Sequence, residues 1–280
     1  MLQTATINLD AYFQRIGYSG STSPTLATLQ ALHFNHALAI PFENFGPLLK
    51  QPVLLDPASL ERKLVHENRG GYCFEHNLLF GHVLNALGFR FTNLAARVIW
   101  NAPEDAITPR SHMLLLVEIA EKPYIADVGF GGLTLTSPLR FEVDVEQETP
   151  HELFRLIASG GDFIQQARLG DKWKSLYRFD LQRQYQVDYE VSNWYLSHHP
   201  QSPFVTGLMA ARPRVDRRYA FFNNAVAMHH LKGTTERRLL QTVAEFRAAL
   251  QDYLDLALPD STDVNDVLQR LIDIGRTSDR

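Results

Sequence analysis

The run Arg69-Gly70-Gly71-Tyr72-Cys73-Phe74-Glu75-His76-Asn77 separates two kinds of sequence pattern. Just downstream, Leu78, Leu79, Val83, Leu84 and Leu87 form one broad apolar face closed by Gly88. That spacing predicts a helix beginning near Cys73. Upstream the period is also helical. Leu9, Tyr12, Phe13 and Ile16 recur before Gly17, and Leu26, Leu29 and Leu32 follow at helical spacing. Ser23-Pro24 and Asp56-Pro57 each read as a cap followed by proline at the first helical position. After Phe89 the pattern changes to strand-like runs over 94–100, 113–119, 124–128, 153–157 and 185–191. Turn clusters such as Asn101-Ala102-Pro103 and Gly160-Gly161-Asp162 separate them, which predicts a middle barrel or sandwich. The last third is mixed, with a strand over 219–228 and helices over 243–254 and 263–274. The order helical, β, then mixed predicts an α+β protein of two or three units.

The chain has 280 residues, 45% of them hydrophobic and 21% charged, which excludes a disordered chain, a collagen and a coiled coil. With 27 Lys+Arg against 31 Asp+Glu the net charge is −4, and no basic stripe points to nucleic acid. The single cysteine, Cys73, excludes an intramolecular disulfide and suits a reducing compartment. Residues 1–12 carry no basic stretch followed by a long apolar run, so no signal peptide is expected. The most apolar short run, 113–117, is too short to cross a bilayer. A cytoplasmic protein without a membrane partner is expected.

Cys73 carries the strongest chemical signal. Two glycines permit a tight turn, and the thiol then falls in the first turn of a helix, where the macrodipole favours thiolate. Arg69 adds a positive charge nearby. The plainer reading is a small buried apolar residue, and the residues alone leave both open. A nucleophile needs a base and the base an orienting group. His76 lies three residues from Cys73, His112 opens a strand, and Asp127 ends the next one before Gly129-Phe130-Gly131-Gly132. A hairpin centred on Glu121-Lys122 sets Asp127 opposite Leu116, ~13 Å along the strand from His112. A different pairing is required for His112 and Asp127 to meet. The pairs His198-His199 and His229-His230 are weak metal signals, and no metal site is expected.

Five blocks, in order, resemble the arylamine N-acetyltransferases. They are Ile40-Pro41-Phe42-Glu43-Asn44-Phe45, the Arg69–Asn77 run, Arg110-Ser111-His112-Met113, Ile125-Ala126-Asp127-Val128-Gly129-Phe130-Gly131-Gly132, and the stretch from Asn193-Trp194-Tyr195 to Ser202-Pro203-Phe204. The resemblance covers nearly the whole chain and is similar in length to bacterial members. It implies an N-terminal helical bundle (1–90), a central β-barrel (91–195) and a C-terminal α/β lid (196–280). It also implies a cysteine triad of the transglutaminase-like and papain-like kind, with Cys73 as nucleophile, His112 as base and Asp127 as orienter. His76 occupies a position that varies in the family and is not assigned a catalytic role.

The resemblance further implies ping-pong transfer from acetyl-CoA, through acetyl-Cys73, to an arylamine, arylhydrazine or N-hydroxyarylamine. Phe42, Phe130 and Phe204 are candidates for the aromatic slot, and Gly131 and Gly132 for the approach of the pantetheine arm. A core phenylalanine and an ordinary turn are the plainer readings of these residues. Glu75 and Asn77 are read as structural. The alternatives are a cysteine hydrolase or transglutaminase-like amide-forming enzyme with the same triad, and a binding protein with a structural Cys73.

Overall fold

A computed structural model describes residues 7–103, 106–231 and 233–278. Residues 1–6, part of the 1–12 stretch in which no signal peptide is expected, lie outside the described residues. Helix α1 (Leu9–Ile16) starts where the Asn8 side chain accepts the Ala11 N–H, and stops at Gly17 with φ 65°. Helix α2 (Leu26–Ala39) starts at Thr25, not at Ser23-Pro24. The Thr25 hydroxyl accepts the Thr28 N–H, while residues 23–25 form a turn ahead of it. A short α3 (Phe45–Leu48) follows, then α4 (Pro57–Glu61), capped by Asp56 as its sequence predicts, running into a π-helical turn at Arg62–His66. Helix α5 (Cys73–Ala86) begins at the cysteine and is buried on nearly every side.

The middle of the chain forms one eight-stranded antiparallel sheet, ordered β4-β3-β2-β1-β8-β7-β6-β5. Its strands are β1 (Arg90–Val98), β2 (Arg110–Ile119), β3 (Lys122–Ala126), β4 (Leu139–Arg140), β5 (Gln147–Glu148), β6 (Leu153–Ser159), β7 (Asp162–Leu169) and β8 (Lys172–Phe179). The sheet curls until its edges nearly meet. The Gln147 side-chain amide accepts the Arg140 N–H and donates to the Arg140 carbonyl, standing in for a ladder pair. Leu94, Leu114, Ile125, Phe154, Leu156 and Leu176 fill the inside.

The hairpin register differs from the expected one. Ile119 pairs with Lys122, so the turn is Ala120-Glu121, both with positive φ (48° and 62°). Two left-handed residues make the turn type that matches strand twist, usually marked by Asn or Gly. The shift of two residues pairs Leu115 with Ala126 and carries Asp127 toward His112.

The expected strand over 185–191 is instead the start of helix α6 (Gln186–His198). Tyr189, Asn193, Leu196 and Ser197 face inward at helical spacing. Val187 and Val191, which made the segment read as a strand, are 63% and 73% exposed. After α7 (Pro203–Thr206) comes a second antiparallel sheet, β12-β11-β10-β9. It comprises β9 (Met209–Arg214), β10 (Arg217–Phe222), β11 (Ala225–His230) and β12 (Thr235–Leu239). The expected single strand over 219–228 is therefore a hairpin, turned at Asn223-Asn224. Helices α8 (Val243–Leu254) and α9 (Thr262–Ser278) cover this sheet through Phe246, Leu250, Leu268 and Leu271. Among the described residues no helix is long and apolar enough to cross a membrane.

Candidate active site

Cys73 is set by two segments pressed together. Phe42 and Gly71 form a parallel bridge, with the Glu43 N–H donating to the Gly71 carbonyl (2.8 Å) and the Gly71 N–H to the Pro41 carbonyl (3.3 Å). A Cβ at Gly70 would lie 2.0 Å from the Pro41 oxygen, so only glycine lets the strands close. The Tyr72 N–H, freed at the helix start, donates to the Glu75 carboxylate at 3.0 Å. Lys63 Nζ donates to the same carboxylate at 2.6 Å. Burial pushes the Glu75 carboxyl up, and Lys63 only partly offsets it.

Arg69 is not available to the thiol as the sequence suggested. Its Nε and Nη2 both donate to Glu43 Oε1, at 3.1 and 2.6 Å. Burial raises the Glu43 carboxyl, but Arg69 and Lys63 outweigh it and the net shift is downward. Both ion pairs brace the turn that delivers Cys73.

The Cys73 sulfur lies 3.5 Å from the Ser111 carbonyl, next to His112 on β2. His112 Nε2 and Asp127 Oδ2 are 2.7 Å apart, both essentially inaccessible. Burial lowers the His112 imidazole, but the Asp127 carboxylate reverses that and the Cys73 sulfur adds to it, so it is raised to about 10. Burial raises Asp127, and His112 pulls it below the usual carboxylate range. The second oxygen, Oδ1, accepts from Asn77 Nδ2 (3.0 Å) and the Gly129 N–H (2.9 Å). Asn77 also donates to the Met113 carbonyl and accepts the Val128 N–H, tying α5 to β2 and to the end of β3. Asn77, expected to be structural, thus also fixes the Asp127 carboxylate. It lies one turn beyond Cys73 on the same face, which spacing shows, but its carboxylate partner is fifty residues away. At Gly129 a Cβ would come within 2.9 Å of the Cys73 Cα, so the loop after Asp127 reaches Cys73 only as glycine.

Aromatic rings close around the imidazole. His112 meets Phe130 edge-on at 5.3 Å and Tyr177 at 4.9 Å between centroids. Tyr177, on β8, donates to Gln165 at 2.7 Å. Phe130 is a sequence candidate, whereas neither Tyr177 nor Gln165 stands out in the sequence. His76 points away from the sulfur, toward His36 Nε2 (2.9 Å) and the Pro41 carbonyl (3.1 Å).

Cys73 and His112 open onto a cavity of about 900 Å³. Phe42, Phe130, Phe204, Gly131 and Gly132 all line it. Phe42 and Phe204 meet edge-on at 6.1 Å. Residues of β9, β10, β11 and β12 supply its other wall. Among the described residues no group of three metal-ligating side chains converges.

A family model described as N-acetyltransferase matches residues 25–263. Curated relatives named arylamine N-acetyltransferase match 85–90% of the chain at 40–47% identity. The chain belongs to that family. The arylamine N-acetyltransferase of Mycobacterium tuberculosis is 47% identical over 242 residues, covering 85% of this chain and 86% of the relative. That of Escherichia coli is 43% identical over 254 residues, 90% of each chain. The arylamine N-acetyltransferase / N-hydroxyarylamine O-acetyltransferase of Salmonella typhimurium is 40% identical over 253 residues, again 90% of each. Among solved structures, the Mycobacterium marinum arylamine N-acetyltransferase in complex with CoA superposes with a TM-score of 0.87. It shares 42% identity, over 95% of this chain and 97% of that one.

Proposed function

We propose that this arylamine N-acetyltransferase family member moves an acetyl group from acetyl-CoA to an aromatic amine, hydrazine or hydroxylamine in two steps. Cys73, His112 and Asp127 act as nucleophile, base and orienter. The observation that carries the reading is the linked Cys73–His112–Asp127 arrangement at a cavity of about 900 Å³. A carboxylate fixed by the Asn77 amide and the Gly129 N–H holds the imidazole charged, and an imidazolium beside sulfur favours the anionic nucleophile.

The sulfur anion attacks the thioester carbonyl, a C–S bond forms, and the tetrahedral adduct collapses with the CoA thiolate leaving. The unpaired N–H groups of the first turn of α5 face the developing oxyanion. Acetyl-Cys73 and free CoA result, with the His112 proton available to the leaving sulfur. The acceptor nitrogen or oxygen then attacks the acetyl carbon, His112 takes its proton, and Cys73 is released. Asp127 holds the ring in one orientation through both steps.

The cavity suits both partners. Phe42, Phe130 and Phe204 offer apolar faces to a flat acceptor. At Gly132 the nearest atom to an added Cβ is 4.0 Å away, which leaves room for a thin pantetheine arm. Arg168 on β7 and Arg237 on β12 also line the cavity and suit an anionic donor. The division into a bundle (1–90) carrying the nucleophile, a barrel (91–195) carrying the base and orienter, and a lid (196–280) follows as the functional layout. A mechanism needing a permanently reduced thiol fits the cytoplasm.

Initial rates over a grid of acetyl-CoA and arylamine concentrations test this reading. Parallel double-reciprocal lines, with CoA–acetyl-CoA exchange in the absence of acceptor, are expected. Intersecting lines without exchange, or acyl-enzyme formation from peptide amides alone, would replace it with direct transfer or with the hydrolase and transglutaminase-like alternative.

A further inference from the structure

Three histidines lie buried on the bundle side of the triad: His33 and His36 on α2 and His76 on α5. His36 and His76 form a closed chain with Tyr12 and the Pro41 carbonyl. His33 does not join it. Its Nε2 lies 3.2 Å from the Asp127 backbone nitrogen, and its Nδ1 is buried without a partner among the described residues.

That contact has a specific cause. Strand β3 ends at Ala126, so the Asp127 N–H has left the ladder, in a place with no exposure. A buried N–H needs an acceptor, and His33 is the one it has. Since the backbone N–H can only donate, Nε2 must carry the lone pair, and the neutral ring holds its proton on Nδ1. Phe80 meets the ring edge-on at 5.8 Å and sets its plane. The Asp127 carbonyl accepts from Thr134 Oγ1 at 3.2 Å. The backbone at Asp127 is thus held on both sides, one of them by a side chain 94 residues earlier.

We propose that His33 is a positioning residue for acetyl transfer: its Nε2 lone pair accepts the Asp127 N–H and thereby aims the carboxylate at His112. The proposal rests on the roles given above to Cys73, His112 and Asp127. The groups acting on His33 are Asp127, at the end of β3, and His36, on its own helix; α5 presents it the Phe80 ring. Burial lowers the ring and Asp127 raises it, leaving it at about 4 and neutral in the working range. Protonation would set an Nε2–H against the Asp127 N–H, two donors face to face.

The test compares His33→Leu, which keeps bulk but removes the acceptor, with His33→Gln, whose amide oxygen reaches the place of Nε2. Release of CoA in the first half-reaction is expected to slow about 10- to 100-fold in His33→Leu, with KM for acetyl-CoA little changed, because small misplacement of a reacting group has that effect. His33→Gln is expected to recover most of the rate. A folded His33→Leu with the wild-type rate, or a His33→Gln as slow as His33→Leu, would overturn the proposal.

Nitrogen-15 NMR of labelled histidines needs no acetyl-CoA, so it separates this proposal from the acetyl-transfer reading. The wild type is expected to show His33 protonated on Nδ1 alone at neutral pH, and His33→Leu to lose the His112 charge at lower pH than wild type. A proton on His33 Nε2 at neutral pH in the wild type contradicts the positioning role even if His33→Leu fails to fold, and an unmoved His112 titration in a folded His33→Leu contradicts it as well.

Discussion

His112 and His76 are equally buried and each makes close polar contacts, yet their charge states are opposite. Burial drives both imidazoles toward the neutral form. His76 is met by another imidazole and a carbonyl, and it falls to about 4. His112 is met by the Asp127 carboxylate at 2.7 Å, and it rises to about 10. One carboxylate, itself stabilised by Asn77 and Gly129, decides which buried histidine is held charged beside the Cys73 sulfur. Burial alone therefore does not mark a functional histidine; the charge it faces does.

Asp127→Asn removes that difference and has the largest expected effect. His112 should drop below its ordinary 6.5, as His76 does, and the rate of Cys73 acetylation should fall by about 10⁴, the loss typical when a triad carboxylate becomes an amide. Single-turnover CoA release reads the rate, and NMR reads the imidazole. A variant within tenfold of wild type would break the comparison.

His76→Leu attacks the other side. It strands the Nε2 of His36 and removes one donor from the Pro41 carbonyl, so stability should fall by about 1–3 kcal/mol in urea denaturation. Acetylation should stay within a few-fold, since His76 faces away from the sulfur. A loss as large as that of Asp127→Asn would make His76 part of the reacting machinery.

The two rings also predict opposite pH slopes of stability. The stabilisation tied to neutral His76 is complete above pH 6.5 and is lost as the pH falls toward about 4. At ~1.4 kcal/mol per unit, that amounts to about 3 kcal/mol. The stabilisation tied to charged His112 is complete below 6.5 and is lost as the pH rises through about 10. Denaturation midpoints should peak between these arms, and His76→Leu should make the acid arm shallower, with neutral His33 and His36 sustaining the rest of it, while leaving the alkaline arm unchanged. An alkaline arm missing from wild type, or retained in Asp127→Asn, would count against the assignment. The smallest effect is expected from His66→Ala. His66 is half exposed and pairs with Glu61 at 3.0 Å, so its loss should shift stability by less than about 1 kcal/mol and leave acetylation unchanged.

How much of this was legible in the sequence varies with how local the cause is. The start of α5 is written in Gly70, Gly71 and the apolar face behind Cys73, and α8 has the bounds its amphipathic pattern predicts. The β2–β3 register is not, because Ala120 and Glu121 take left-handed conformations that neither residue advertises. Helix α6 reads as a strand because Val187 and Val191 face solvent while polar Asn193 faces the core. That the five motif blocks come to one place rests on Phe42 bridging Gly71 and on the Ala120-Glu121 turn drawing Asp127 toward His112. The contributions of Asn77, Tyr177 and His33 arise from contacts dozens of residues apart, which no local spacing records.

The most direct test of the central claim is intact mass of the protein after brief mixing with acetyl-CoA and no acceptor, followed by peptide mapping. The account predicts one added acetyl group on the peptide containing Cys73, discharged by an arylamine and absent in Asp127→Asn on the same timescale. An unmodified, folded protein that releases no CoA would contradict it.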